Sequence, residues 1–391
     1  MQGMRADQEG RRYKLYKEWM KKEGIPVYET FAGVEDVTEL PRGSWARTGG
    51  LGTFIELDGM KEAGSLLYVA EIPGGGALEP EKHLYDEFIY VLRGRGMSEV
   101  WQQGGEKRSF EWGEGSVFCM PLNAWHRMVN GGREPAIFFA KINAPLAMEA
   151  FRNIDFIFNC DYNFTDRFSG EADYFLASEK RYDDGDRNYW ETNFIPDVRT
   201  AFLGDILSPY KVEGGQQTRI EMAAWISLHT SSWPAGMYHK CHFHGAGALI
   251  LGAQSEGYVL IWHRSYGIHP YQDGNGDKVI RFYWKPGSIY SPPHEWFHQH
   301  FNTGNERALH LAHTAGQLPV WLLNPNIQGQ EKGVPGGGEL GRGVRNGGGL
   351  IEYEDEDPEI RRAFKEEIEK KGIKFNMKPV VYNTEPFKFA Y

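Results

Sequence analysis

The apolar residues of this chain fall in short runs. Ser65–Ile72, Glu87–Leu92 and Ile137–Ile142 are rich in Val, Ile, Phe and Tyr, and Gly and Pro clusters bound them. Runs of this length, composition and spacing predict the strands of a β-sandwich or barrel. A helical period appears only at the margins. Arg11–Lys22 and Pro358–Lys371 are charged and amphipathic, and Leu146–Phe158 predicts a helix leaving the first half of the chain. The Gly-rich run Pro335–Gly349 reads as a surface connector.

Sliding the chain along itself exposes a repeat. At an offset of 161, the distance from Tyr28 to Tyr189, Val34 meets Ile195, Asp36 meets Asp197 and Val37 meets Val198. At the same offset Pro73 meets Pro234, Gly75 meets Gly236, His83 meets His244, Gly96 meets Gly257 and Trp101 meets Trp262. An insertion around Tyr266–Lys278 then raises the offset to 172, the distance from Trp112 to Trp284. Beyond it Gly115 meets Gly287, Pro121 meets Pro293, His126 meets His298 and Asn130 meets Asn302. The insertion falls in a Gly/Asp/Asn-rich turn, where extra residues cost little. The chain is two copies of one domain.

Histidine separates the copies. All but His83 and His126 of the 13 histidines lie between His229 and His313, in the second copy. Imidazole is the commonest transition-metal ligand near neutral pH, so the second copy is the better candidate for chemistry. There His242 and His244 are spaced H-x-H and His298 follows. Residues i and i+2 of a strand share a face, which aims His242 and His244 into one barrel interior, with His298 reaching them from a neighbouring strand.

The first copy reads Glu81-Lys-His83-Leu-Tyr-Asp-Glu87 and then Gly115-x5-Pro121-x4-His126-x3-Asn130. The second reads His242-Phe-His244-x3-Ala248 and then Gly287-x5-Pro293-x4-His298-x3-Asn302. Both resemble the paired motifs of the cupin family, G-x5-H-x-H-x3-4-E-x6-G and G-x5-P-x-G-x2-H-x3-N. The resemblance covers both halves and implies an all-β bicupin: two tandem double-stranded β-helix (jelly-roll) barrels with peripheral helices at the termini and in the linker. The expected division is an N-terminal helix and arm over 1–44, a first cupin over 45–150 and a linker with a helix over 151–205. A second cupin over 206–325 and a C-terminal loop and helix over 326–391 complete it.

The resemblance implies a metal site of three histidines and one glutamate in each barrel, and both copies depart from it. The second fills the three histidine slots with His242, His244 and His298 but carries Ala248 in the glutamate slot. The first keeps His83, Glu87 and His126 but places Glu81 in the first histidine slot. Three neutral imidazoles leave a divalent ion its full charge and an open position, which suits an anionic, bidentate substrate with dioxygen or water. Such a centre resembles those of gentisate- and salicylate-type ring-cleaving dioxygenases, diketone-cleaving dioxygenases and thiol dioxygenases. The ring-cleaving enzymes are bicupins too, although they hold their metal in the first barrel.

The leading expectation is a non-haem Fe(II) dioxygenase acting on a small aromatic or enolisable carboxylic acid, with Mn, Ni, Zn and Cu as other fillings. In it His300, which shares the face of His298, and His310, on the strand Ala308–Thr314, supply protons or hydrogen bonds. His310 and His313 differ in parity, so one of them at most faces inward. His239, an odd number of residues from His242, is expected at a rim. One alternative is a redox-neutral decarboxylase, lyase or isomerase. Oxalate decarboxylase is also a bicupin, though with complete sites in both halves. The other is a ligand-binding or storage bicupin without turnover, against which the intact His242/His244/His298 set argues.

Composition adds boundaries. At 391 residues, two domains with ample cores are expected. A net charge of −10 without a basic run leaves nucleic acid an improbable partner. No apolar stretch is long enough to span a bilayer, and residues 1–28 are unlike a signal peptide. The 3 cysteines, Cys119, Cys160 and Cys241, show no pairing pattern, which fits a reducing, cytoplasmic setting. Association into a homo-oligomer is expected from the resemblance alone.

Overall fold

Strand pairing divides the chain into two barrels, each of two sheets. The computed structural model describes residues 14–387 except 62–63, 185–186, 202, 205–210, 223–227, 245–247, 295 and 314–341. In the first barrel the larger sheet runs Val27–Thr30, Gly50–Leu57, Leu66–Ile72, Ala136–Ile142, Glu87–Arg93, Val117–Met120 and Phe194–Ile195, with Gly43–Trp45 beside Gly50–Leu57. The smaller sheet is Trp125–Asn130, Arg95–Trp101 and Arg108–Gly113. In the second barrel the larger sheet runs Arg181–Asp184, Arg187–Glu191, Gln216–Glu221, Leu228–Trp233, Ala308–His313, Leu249–Gln254, Ile289–Tyr290 and Gly33–Val34. Its smaller sheet is Ile280–Trp284, Gly257–His263, Trp296–Asn302, Cys241–His242 and Leu350–Ile351.

The sequence repeat is also a repeat of register. Ala70 opposes Phe138 in the first barrel and Ser231 opposes His310 in the second. Ser98 opposes Met128, and Val259 opposes His300. Ile89 opposes Phe118, and Ile250 opposes Tyr290. Each pair differs by the offsets 161 and 172 found between Tyr28 and Tyr189 and between Trp112 and Trp284. Positions in one barrel can therefore be compared with positions in the other, side chain by side chain.

The barrels exchange short strands. Gly33–Val34, from the arm ahead of the first barrel, pairs with Ile289–Tyr290 of the second, and Phe194–Ile195, from the linker, pairs with Val117–Phe118 of the first. The flanking contacts match: Val37 N–H donates to Gly287 O at 3.1 Å and Val198 N–H to Gly115 O at 3.0 Å. The outer faces of the two larger sheets pack together, with Leu67, Val69, Phe88 and Phe139 against Leu249, Leu251, Leu309 and Leu311 in one buried cluster. Each such side chain contributes about 1.5–3 kcal/mol.

Helices Lys14–Glu23 and Pro358–Lys370 lie where the pattern predicts them, residues 11–13 being outside the described set. The first covers an end of its barrel, with Trp19 against Phe54 at 5.3 Å between ring centres. The second lays Ile360, Phe364 and Ile368 on the outer face of the smaller sheet, over Tyr258 and Phe301. The single helix expected over 146–158 is instead two, Ala144–Phe151 and Ile154–Asn159. Arg152 takes left-handed backbone (φ 52°), and Asn153 caps the second helix by accepting from Phe156 N–H at 3.0 Å. Of the Gly-rich run, 335–341 lies outside the described residues, and Val344–Asn346 forms a 3₁₀ turn ahead of Leu350–Ile351. No helix among the described residues is long and apolar enough to cross a membrane.

Candidate metal centres

Two groups of side chains converge inside the barrels: His242, His244 and His298 in the second, and His83, Glu87 and His126 in the first. In each, the ligand atoms lie within 4.8 Å of one another. In the second barrel His242 directly opposes His298 across the strand pair, their ring centres are 4.3 Å apart, and His244 lies 4.7 Å from His298. The C-terminal strand covers this pair from the other side, with Leu350 opposite His242.

The backbone fixes which nitrogen each imidazole offers. Nδ1 of His83 faces Tyr85 O at 2.8 Å and Nδ1 of His126 faces Ala124 O at 2.9 Å. In the second barrel Nδ1 of His242 faces Lys240 O at 3.3 Å and Nδ1 of His298 faces Trp296 O at 3.1 Å. A carbonyl can only accept, so these rings are held as Nδ1–H and their Nε2 lone pairs point into the group. In the first barrel Nε2 of His83 and of His126 face Glu87 Oε2 at 3.6 and 3.5 Å, too far for a hydrogen bond. Lone pairs thus face a carboxylate across a gap. Two ligands each ~2.1 Å from one ion at the tetrahedral angle stand roughly 3.4 Å apart, so the donor set fits a divalent cation.

Electrostatics differ between the groups. Burial alone would raise the Glu87 carboxyl, but the facing His126 and His83 rings hold it well below the usual carboxylate range. Burial would lower His126, yet the facing Glu87 raises it. In the second barrel burial pushes His242, His298 and His300 well below the ordinary imidazole value, and the positive charge of Lys211 pushes each further. Those rings are neutral at physiological pH, the form that binds metal.

Glu81 does not join the first group. Its carboxylate is held by Arg47, which also binds Glu23 at 2.9 Å, while its backbone exchanges hydrogen bonds with His126 at 2.9 and 2.8 Å. The first-barrel cavity, lined by Tyr68, Glu81, Glu87 and His126 among others, is about 10 Å³. That is room for roughly one water or ion.

Around the second group, His300 shares the interior with His298, at 5.5 Å between rings, and Nδ1 of His300 lies 2.7 Å from the Tyr290 hydroxyl. His310 faces the same interior, 3.4 Å from that hydroxyl. His313 faces the other way, its ring 3.9 Å from Phe88 in the seam between barrels, as parity requires. His239 departs from the expected rim position: it is 2% exposed and packs against Trp233 at 4.3 Å. The cause is an extra residue in its strand. Tyr238 opposes Phe301 but His242 opposes His298, so four residues on one strand span three on the other and the faces invert. Cys241 faces outward beneath the C-terminal helix, with the apolar cluster there. Lys211, Tyr290 and Trp233 carried no motif. Aligning the repeats does mark Tyr290, which stands where the first copy has Phe118.

Residues 68–141 match the model of the cupin domain family. No curated protein matches the chain. Among solved structures, the coconut allergen cocosin shares 13% identity at a TM-score of 0.46, over 73% of this chain and 85% of its own. Oxalate decarboxylase of Bacillus subtilis, a structure concerned with its Mn(II) centres, shares 11% at 0.44, over 74% and 78%. Oxalate decarboxylase of Lactobacillus farciminis in a formate complex shares 10% at 0.43, over 74% and 87%. Likeness at this level fixes neither reaction nor metal. The family match thus marks the first barrel as a cupin domain, and the second barrel repeats its register and its ligand positions.

Proposed function

We propose that the second barrel is the active centre of a metal-dependent enzyme for small carboxylic acids, with His242, His244 and His298 holding the ion. The observation that carries this reading is the converging triad, with Nδ1 of His242 and of His298 pinned by backbone carbonyls, and with Ala248, 7% exposed and facing inward, in the position that Glu87 fills in the first barrel. A divalent ion held there supplies Lewis acidity and, when redox-active, a route to dioxygen. The protein residues do the rest. Lys211 and the neutral imidazoles favour an anion, and His300 and His310, joined through Tyr290, face the same interior as donors or acceptors. We assign the first barrel, with its cavity of about 10 Å³, to a structural ion rather than to turnover.

The reaction that suits three histidines and no carboxylate best is Fe(II)-dependent dioxygenation of a small aromatic or enolisable acid. Redox-neutral decarboxylation is the second reading, favoured by the hydrogen-bonded His300–Tyr290–His310 set, which suits proton handling. One experiment separates them. Protein reconstituted with Fe(II) or Mn(II) is given a panel of aromatic and 2-oxo acids while oxygen uptake and CO₂ release are followed. Uptake of dioxygen in step with substrate loss supports the first reading. CO₂ release without net oxygen uptake supports the second, and no turnover with any metal refutes both.

A further inference from the structure

The two barrels share a fold and a register but fill their interiors differently. Where the first has Leu78, Phe118, Met128 and Phe138, all in its apolar core, the second has His239, Tyr290, His300 and His310. The equivalence is exact in the backbone: Leu78 N–H donates to Met128 O and His239 N–H to His300 O, each at 2.9 Å. The fold does not require polar groups at these positions, because the first copy makes the same barrel from hydrocarbon. A second difference points the same way. Trp112 of the first barrel donates its indole N–H to Ser98 at 3.1 Å. The second barrel keeps the tryptophan, as Trp284, but replaces that serine by Val259, and the Trp284 N–H has no partner among the described residues.

The unpartnered groups converge. Trp233, 0% exposed, stands where the first barrel has Ile72, and its N–H is likewise without a partner among the described residues. Its ring lies 5.9 Å from Trp284, 4.7 Å from His310 and 4.3 Å from His239, whose two ring nitrogens are also unpartnered. Trp284 lies 4.4 Å from His310. Indole N–H groups only donate. The Tyr290 hydroxyl sits between Nδ1 of His300 and Nδ1 of His310, and a neutral ring that accepts its proton at Nδ1 carries its own at Nε2; Nε2 of His310 has no partner among the described residues. A buried donor without an acceptor is costly, and this interior gathers several.

We infer that this floor, beyond the metal triad, is a receptor for oxygen acceptors at the far end of the substrate. The substrate is then a short acid with oxygen functions at both ends, a dicarboxylate or an oxo acid. The inference rests on the proposed function, which places the near end at His242, His244 and His298.

The test uses Zn(II)-loaded protein and calorimetric titration with acetate, malonate, succinate and glutarate. Wild type should bind at least one dicarboxylate about tenfold more tightly than acetate, the gain of a hydrogen bond to a charged group. Val259→Ser gives the Trp284 N–H the internal acceptor that Ser98 supplies to Trp112. Tyr290→Phe restores the residue type of Phe118. Each should shrink that preference severalfold, Val259→Ser with zinc content and acetate affinity as in wild type. A wild type that binds dicarboxylates no better than acetate overturns the inference. So do folded, zinc-loaded variants that keep the preference intact. If acetate also fails to bind, the proposed function falls first, and the floor with it.

Discussion

Substituting Glu for Ala248 asks whether the second triad is a working centre or a decayed copy. In the first barrel that position holds Glu87, whose Oε2 stands 3.6 and 3.5 Å from the facing imidazole nitrogens. Ala248 precedes a strand in the same register and is 7% exposed, so the new carboxylate is delivered to His242, His244 and His298. Without metal it is an ionised group buried among neutral rings, and the Tyr68 hydroxyl that donates to Glu87 has His229 in its place. Such a group costs about 3 kcal/mol or more, which lowers the melting temperature of a domain this size by about 6–12 °C. With metal, the same carboxylate becomes a fourth ligand and the loss is recovered. Melting curves in chelator and in excess Zn(II) read both quantities. The variant should melt lower than wild type in chelator and gain more from zinc than wild type gains. Turnover should fall, since the substrate's position is filled and one unit of ion charge is cancelled. Equal destabilisation with and without metal would refute the reasoning.

Further outcomes follow from single residues. His298→Ala should remove most metal from the second barrel, because two imidazoles hold a divalent ion weakly, whereas His126→Ala should leave turnover in place; elemental analysis with a turnover assay checks both. Glu356 is buried behind His298 and His300, and burial raises its carboxyl to about 7 despite hydrogen bonds from Tyr238 and Gln299. A raised carboxyl stabilises the fold below its unfolded value of 4.5 and loses that contribution as pH rises through about 7. Glu356→Gln should therefore gain up to about 3 kcal/mol relative to wild type between about pH 4.5 and 8; an unchanged difference in denaturation midpoints across that range counts against it. Val34→Asp places a charge on the exchanged strand, where Val34 is 5% exposed, and should cost about 2–4 kcal/mol in urea unfolding. Light scattering at micromolar concentration should give a mass above that of one chain; a monomer contradicts the expected association.

The architecture was legible because duplication makes each half a control for the other: matched Gly, Pro, Trp and His positions identified two barrels, and their register follows the same offsets. The triad was legible because H-x-H needs only strand parity. What parity could not supply was anything resting on an irregular backbone. His239 faces inward only because an extra residue sits between Tyr238 and His242. Leu146–Phe158 breaks where Arg152 turns left-handed, a choice made by the Asn153 cap rather than by helical period. Nor does sequence show that Arg47 occupies the Glu81 carboxylate, a contact made across the fold. The polar floor was in view all along, since Phe118 against Tyr290 and Met128 against His300 are read from the alignment itself. Its meaning depends on those side chains sharing one interior.

The central claim is that the ion that matters is held by three histidines of the second barrel. Anomalous diffraction at the metal edge, from crystals of protein reconstituted with Fe(II) or Zn(II), tests it directly. The account predicts a strong peak ~2.1 Å from ring nitrogens of His242, His244 and His298, with no protein carboxylate in its coordination shell. A peak confined to His83, Glu87 and His126, with the second triad empty at full metal loading, would contradict it.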